Sequence, residues 1–450
     1  MAKEHQSSST NETNGNMSWW QLSLIGVGCT IGTGYFLGSS IGIKVTGPSI
    51  VLSFVLAAIG TYIVFSLLAK MTAADPQNGS FCYYAKKAFG SWAGFCCGWN
   101  YWCSNILIMG SQLTALSILS RFWFHQIPLW VFASVYAILS IIVVLTGTKG
   151  FDRIENVLAI VKTAAIVMFI IIAGMALLGF LSGHPNHPGF PATAKQVFPD
   201  GIHGFWSSLI YAFYAYGGIE VIGLMAMQLK NKEEAPKAGT VMLLGLASIY
   251  VLSLGFAVVM GVHDTFSEKE SPFVTALVDY HLPFFPHVFN AAIIIAGFST
   301  MTASLFGVTN LLVAFAKDGD APSFFSHKIK KLKDLPLPSL GLAAVGLLAS
   351  ILAALLLPGK IFEYITTAAG ILILFNWLFI IISAFPILKM NAVTKWGAIF
   401  GLFLLVAAVF GTLIEKTDRP GFFISLLFVA IIGIAAVIKV KLGKTKPSVK

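Results

Sequence analysis

The sequence predicts an all-α membrane protein with twelve transmembrane helices, and three observations carry that prediction. Of its 450 residues, 57% are hydrophobic and only 11% charged, and the mean hydropathy is +0.82, which is far too apolar for a soluble domain. Apolar runs of about 20 residues recur along the chain, the length a helix needs to cross a hydrocarbon core of about 30 Å. Runs such as 50–69 and 422–438 are apolar on every face, whereas a membrane β-barrel would show strands of roughly ten residues alternating in polarity.

In chain order, the polar start 7–16 has no basic cluster, and no small-residue cleavage site follows a short apolar core. No cleavable signal peptide is read, and 1–17 is expected to be a disordered cytoplasmic terminus. The first span, 19–41, contains Gly28-Cys29-Thr30-Ile31-Gly32-Thr33-Gly34 near its middle. Apolar runs at 50–69, 91–119 and 129–146 give the second to fourth spans. Asp152, Arg153 and Glu155 form a cap before the fifth, 154–180, which holds Lys162. The sixth, 204–229, opens beside His203 and is interrupted by Phe213-Tyr214-Ala215-Tyr216-Gly217-Gly218, with Glu220 just beyond. Runs at 241–262, 289–316 and 340–357 follow, then 365–388, preceded by Glu363, which like His203 reads as a water-solvated boundary residue. Runs at 394–414 and 422–438 complete the set. The organisation expected is a ten-helix core over 18–388, two further helices over 389–438 and a basic cytoplasmic tail over 439–450.

The net charge of +10 raises the question of nucleic acid, and its placement answers it. With both ends cytoplasmic, the inner segments carry twenty-one Lys and Arg and the outer ones seven, with Lys162 alone inside a span. That bias fits the positive-inside rule. The tail from Lys439 is then expected to meet anionic lipid headgroups, and no nucleic-acid partner is called for. Five cysteines without CxxC spacing call for neither a zinc site nor a disulfide framework, and no metal or cofactor is expected.

The two glycine interruptions are the most informative feature. Glycine weakens a spanning helix, and backbone that leaves helical geometry in lipid survives only where protein or a water-filled cavity supplies partners for its freed N–H and C=O groups. At 1.5 Å per residue, Gly28 to Gly34 lies roughly 14–23 Å along the first span and Phe213 to Gly218 roughly 14–21 Å along the sixth. Both reach the midplane from opposite directions, five spans apart, as an inverted repeat of five helices requires. The half-helix starting at Gly32-Thr33-Gly34 presents N–H groups to a carboxylate, and carbonyls at Gly28 to Ile31 and around Tyr214 to Gly217 accept from an ammonium. One site thereby suits both ends of an α-amino acid. The alternative is that the glycines serve close packing alone, since Gly28-x-x-x-Gly32 and Gly34-x-x-x-Gly38 have small-xxx-small spacing. Paired breaks at matching depth favour the site.

Four stretches, spread from Gly28 to Pro322, resemble the amino acid permeases of the amino acid, polyamine and organocation transporter superfamily. They are the first break; Pro76-Gln77-Asn78-Gly79-Ser80-Phe81; Phe213 to Glu220 with Ala235-Pro236-Lys237-Ala238; and Ala316-Lys317-Asp318-Gly319-Asp320-Ala321-Pro322. The resemblance implies a leucine-transporter-like 5+5 inverted repeat and amino acid transport by alternating access across the plasma membrane. It places substrate at Thr30, Ile31, Gly32, Thr33, Gly34, Tyr214, Tyr216 and Gly217. Amides of Thr33 and Gly34 would hold the carboxylate, carbonyls of Thr30, Tyr214 and Gly217 the amino group, and the rings of Tyr214 and Tyr216 the gate and wall. Where permeases often carry acids, this chain has Lys70 and Gln228, which puts the family's cytoplasmic-gate salt bridges in doubt.

Lys162 lies roughly 12 Å into its span, where an unpaired lysine costs roughly 2.5–3.5 kcal/mol. It either snorkels to the headgroups or, as in many relatives of this fold, replaces a bound sodium ion, reaching carbonyls of the first break and a hydroxyl among Ser299, Thr302 and Ser304. A proton released and regained there would couple uptake to protons. Glu220 either carries a proton too or accepts from the N–H groups of the broken helix, the latter being favoured. No counter-charge for a charged side chain lies at the breaks, so the expected substrate is neutral: small, such as alanine, serine or threonine, with aromatic amino acids second. Exchange instead of symport, a non-transporting amino acid sensor and a channel are the competing functions. An embedded hydrolase lacks an H-E-x-x-H or a nucleophile–base pair.

Overall fold

A computed structural model describes residues 17–77, 79–181, 189, 191, 193–328, 335–356 and 360–444. The terminus 1–16, Asn78, the tail beyond Lys444 and the side chains of Asp152, Arg153 and Glu155 lie outside what it describes. The helices are α1 (Trp19–Thr30), α2 (Thr33–Phe36), α3 (Gly38–Thr46), α4 (Ile50–Ala74), α5 (Ser80–Phe89), α6 (Ser91–Ser120), α7 (Leu129–Leu145), α8 (Thr148–Leu177), α9 (Ala194–Val197), α10 (Gly201–Ala215), α11 (Glu220–Met225), α12 (Ala235–Met260), α13 (Pro272–Ala276), α14 (Phe285–Lys317), α15 (Leu337–Leu356), α16 (Ile361–Ile387), α17 (Ala392–Gly411) and α18 (Arg419–Lys444).

Helix occupies every stretch expected to span. Among the described residues, eight helical stretches are long and apolar enough to cross a membrane, and Leu129–Leu145 and Leu337–Ala353 are shorter apolar helices. The ends differ from expectation where polar residues continue a helix. The fifth predicted span begins at Thr148, and α18 runs on to Lys444, because lysines are good helix formers and such ends lie where water can solvate their charges. Helix α5 was not expected: it buries Phe81, Tyr84 and Ala85 against α6 and α16.

The packing repeats under a shift of five spans, as an inverted repeat demands. Helix α1 packs on α12 and α8, and its counterpart α10 packs on α4 and α16. Likewise α6 packs on α16, α7 and α15, while α14 packs on α8, α15 and α7. Helix α17 lies against α10, α4 and α16, and α18 against α16 and α6. The buried centre is aromatic: Tyr35 stacks on Tyr250 at 3.9 Å between centroids, with Phe54 edge-on to both, an arrangement ring quadrupoles favour.

Candidate functional site

Both interruptions are present. Helix α1 ends at Thr30, where Ile31 (φ −71°, ψ 109°) and Gly32 (φ −151°, ψ −167°) run extended before α2 resumes at Thr33. Helix α10 ends at Ala215. Tyr216 and Gly217 close its last turn with N–H bonds of 3.0 Å to the Phe213 and Tyr214 carbonyls. Gly218, at φ +109°, then leads into α11, a conformation that residues other than glycine rarely adopt.

The interruptions meet. A Cβ on Gly218 would lie 3.1 Å from the Cys29 carbonyl oxygen and 3.3 Å from Thr30 Cα, and one on Gly34 would lie 2.6 Å from the Tyr214 ring. Tyr214 therefore covers the start of α2 directly. Its hydroxyl is buried without a hydrogen-bond partner among the described residues, a polar group poised for one.

The freed backbone finds partners from neighbouring helices, which is what lets irregular chain exist at this depth. The Lys162 ammonium of α8 donates to the Gly28 carbonyl and, at 2.8 Å, to Ser299 Oγ. Lys162 is fully buried, so it does not snorkel to a headgroup. Thr300 Oγ1 shares its proton between the Ala296 carbonyl of its own helix at 2.7 Å and the Ile31 carbonyl at 3.2 Å, and the Gln112 amide oxygen accepts from Thr33 N–H at 3.2 Å and from the Thr33 hydroxyl. Across the second break, Tyr250 donates to the Ala215 carbonyl at 3.2 Å. Gly218 N–H and the Trp377 indole N–H both donate to Glu220 Oε2, at 3.2 and 3.4 Å.

At the opposite end of α1, backbone closes the gap where acids were in doubt. Met17 N–H donates to the Gln228 carbonyl at 3.0 Å and Lys230 N–H to the Met17 carbonyl at 2.9 Å, while the Lys237 ammonium sits 4.1 Å from the centre of the Trp19 ring. Lys70 is exposed.

The sequence matches the family described as Amino acid permease over residues 21–445. The chain belongs to the amino acid permease family. An uncharacterized transporter, YcgH of Bacillus subtilis, is 53% identical, with 95% of this chain and 96% of that one covered. Aromatic amino acid transport proteins, both named AroP, are more distant. That of Corynebacterium glutamicum is 28% identical over 82% of this chain and 80% of its own length, and that of Escherichia coli 26% over 94% and 95%. Among solved structures, MhsT in complex with L-phenylalanine superimposes with a TM-score of 0.59 at 16% identity, covering 87% of this permease and 97% of that chain. At that identity the likeness shows fold alone, and the fold is the leucine-transporter-like one. The permease is thus a multi-pass membrane protein of a family of transporters.

Of the residues expected at a substrate site, the structure gathers Thr30, Ile31, Gly32, Thr33, Gly34, Tyr214 and Gly217 around the two breaks. Tyr216 stands in the second break as well, with its ring packed on Phe54 and Tyr250. Thr302 turns its hydroxyl back to the Phe298 carbonyl at 2.8 Å. Glu363, expected at a solvated boundary, is buried, at 8% exposure. Sequence reading missed Gln112, Thr300 and Trp377. Gln112 is one of three amides on α6, with Asn100 and Asn105, and neither it nor Thr300 carried a signal apart from its neighbours.

Proposed function

We propose that this permease performs proton-coupled uptake of a small neutral amino acid by alternating access. The observation that carries the reading is the contact between the two breaks, with Gly218 on Cys29–Thr30 and the Tyr214 ring on Gly34. Among the described residues, the bonds at that contact come from main chain and neutral side chains, apart from Lys162 and Glu220, whose polar ends are already engaged. A zwitterion fits such a place: its carboxylate replaces Tyr214 at the start of α2, taking Gly34 N–H and displacing Gln112 from Thr33 N–H, and its ammonium meets carbonyls of Thr30, Tyr214 and Gly217. Tyr214 acts as the gate that must leave for substrate to enter.

Lys162 is the coupling residue in this reading. Its ammonium holds the Gly28 carbonyl and Ser299, so a change of charge there weakens both bonds and loosens α1 beside the site. Glu220 serves as a hydrogen-bond acceptor that fixes the turn at Gly218. Both termini lie in the cytoplasm, as the lysine distribution requires, and the lysines of α18 face anionic lipid. A second reading, an aromatic substrate, is favoured by the size of the place to be vacated, since Tyr214 itself fills it with a ring, and by the names of the AroP relatives.

Proteoliposomes under an imposed pH gradient, offered a panel of amino acids, test this. Accumulation of alanine, serine or threonine driven by the gradient and independent of sodium is expected. Accumulation of phenylalanine alone selects the second reading, sodium dependence removes the coupling scheme, and counterflow without gradient-driven accumulation makes the protein an exchanger. Binding without flux would make it a sensor.

A further inference from the structure

Asp418 ends the 412–418 loop and immediately precedes α18, yet its side chain is fully buried. An aspartate in that position ordinarily accepts from the first N–H groups of its own helix. Here its Oδ1 accepts instead from the Tyr211 hydroxyl of α10 and from the Thr367 hydroxyl of α16, the latter at 3.3 Å. Its Oδ2 has no partner among the described residues. Gly421 makes the burial possible: a Cβ there would lie 2.6 Å from Thr367 Cβ and 2.8 Å from the Tyr364 carbonyl oxygen, so the first turn of α18 rests directly on α16.

The charged groups around this carboxyl do not neutralise it. Glu363 at the start of α16 and Glu415 in the same loop are acids. Arg419 turns its guanidinium to the Leu413 and Ile414 carbonyls, at 2.8 and 3.3 Å. Lys44 of α3, which packs on α10, is paired with Glu268 at 2.8 Å, and Lys360 and Lys416 are on the exposed rim. The positive end of α18 favours the anion, whereas burial opposes it most strongly, and the neighbouring acids oppose it as well. The Tyr211 and Thr367 hydroxyls favour the anion, and the balance lifts the carboxyl to about 7.

Tyr211 sits three residues before Tyr214 on α10, the half-helix that must move for Tyr214 to leave Gly34. We infer that Asp418 is a second proton-binding site, separate from Lys162, which latches α10 to α16 and α18 when ionised and releases it when protonated. The ionised carboxylate accepts a charge-assisted, stronger bond from the Tyr211 hydroxyl. A proton taken from the medium on that side weakens the bond, and α10 is then free to open the site. The inference adds to the carrier reading and rests on it only for the consequence, not for the proton binding.

The test therefore has two arms. In purified protein, infrared difference spectroscopy across pH 5–9 is expected to show a protonated-carboxyl band that titrates near neutrality and is missing in Asp418→Asn. Tyr211→Phe, which removes one hydrogen bond and little volume, is expected to move that midpoint upward, because a donor that stabilised the anion is gone. In proteoliposomes that show substrate counterflow, the wild type is expected to gain rate as the pH falls through the same midpoint, while Asp418→Asn and Tyr211→Phe give flat profiles. An absent band, or a midpoint unmoved in Tyr211→Phe, overturns the site. Wild-type-like pH profiles in both variants overturn the latch. Wild-type protein with no counterflow at any pH overturns the carrier reading and leaves the spectroscopic arm to decide on Asp418.

Discussion

At Gly34 a single methyl group separates two states of the site. Its Cβ would lie 2.6 Å from the Tyr214 ring, and the ring is the covering that substrate must replace. Gly34→Ala is therefore expected to alter substrate handling far more than folding, since Gly34 sits in ordinary helical backbone where alanine is favoured. The expected result is a loss of apparent affinity of at least about tenfold, or about 1.4 kcal/mol, with the melting temperature lowered only modestly, because the helical preference of alanine partly offsets the crowding of the Tyr214 ring; binding titration and thermal unfolding of one preparation check both. The residues that make this site were unevenly legible. Glycines inside apolar runs and a lysine within a span conflict with their surroundings, so Gly32, Gly34, Gly218 and Lys162 stand out in the sequence. Gln112 and Thr300 do not, because their partners Thr33 and Ile31 lie 79 and 269 residues away, and a buried helix such as α6 tolerates a polar residue on any face that meets a broken backbone.

At the scale of the helix, the arrangement turns on α1 being held from outside itself. Its last turn gives the Gly28 carbonyl to Lys162, whose ammonium also bonds Ser299 of α14, so α8 supplies a bond that an unbroken α1 would make internally. Lys162→Ala leaves a buried carbonyl without its ammonium, at a cost of about 1–3 kcal/mol. It is expected to abolish accumulation driven by a pH gradient while counterflow persists at reduced rate, as flux with and without the gradient will show. Accumulation equal to the wild type would remove Lys162 from coupling. Element boundaries were less readable than element positions. Apolar runs locate the membrane-depth part of each helix, but polar, helix-favouring residues carry α8 and α18 beyond it. Helix α5, ten residues long and with Lys86 and Lys87 in its last turn, gives no apolar run long enough to notice.

Across the whole molecule, the packing of α1 and α6 that recurs in α10 and α14 five spans on was foreshadowed by two breaks at equal depth in spans of opposite direction. The distribution of charge predicts the orientation of the same molecule. With twenty-one basic residues on one side against seven on the other, cysteines placed in the tail are expected to resist an impermeant thiol reagent in intact cells and to react once the cells are opened. Labelling in intact cells would reverse the orientation.

The account stands on main chain at two facing breaks gripping an amino acid, and a cryo-EM map with the amino acid giving the fastest counterflow tests that most directly. The expected map shows Tyr214 displaced from Gly34, the substrate carboxylate at the Thr33 and Gly34 N–H groups, and the ammonium at the carbonyls of Thr30, Tyr214 and Gly217. Substrate density elsewhere, with Tyr214 still seated on Gly34, would contradict it.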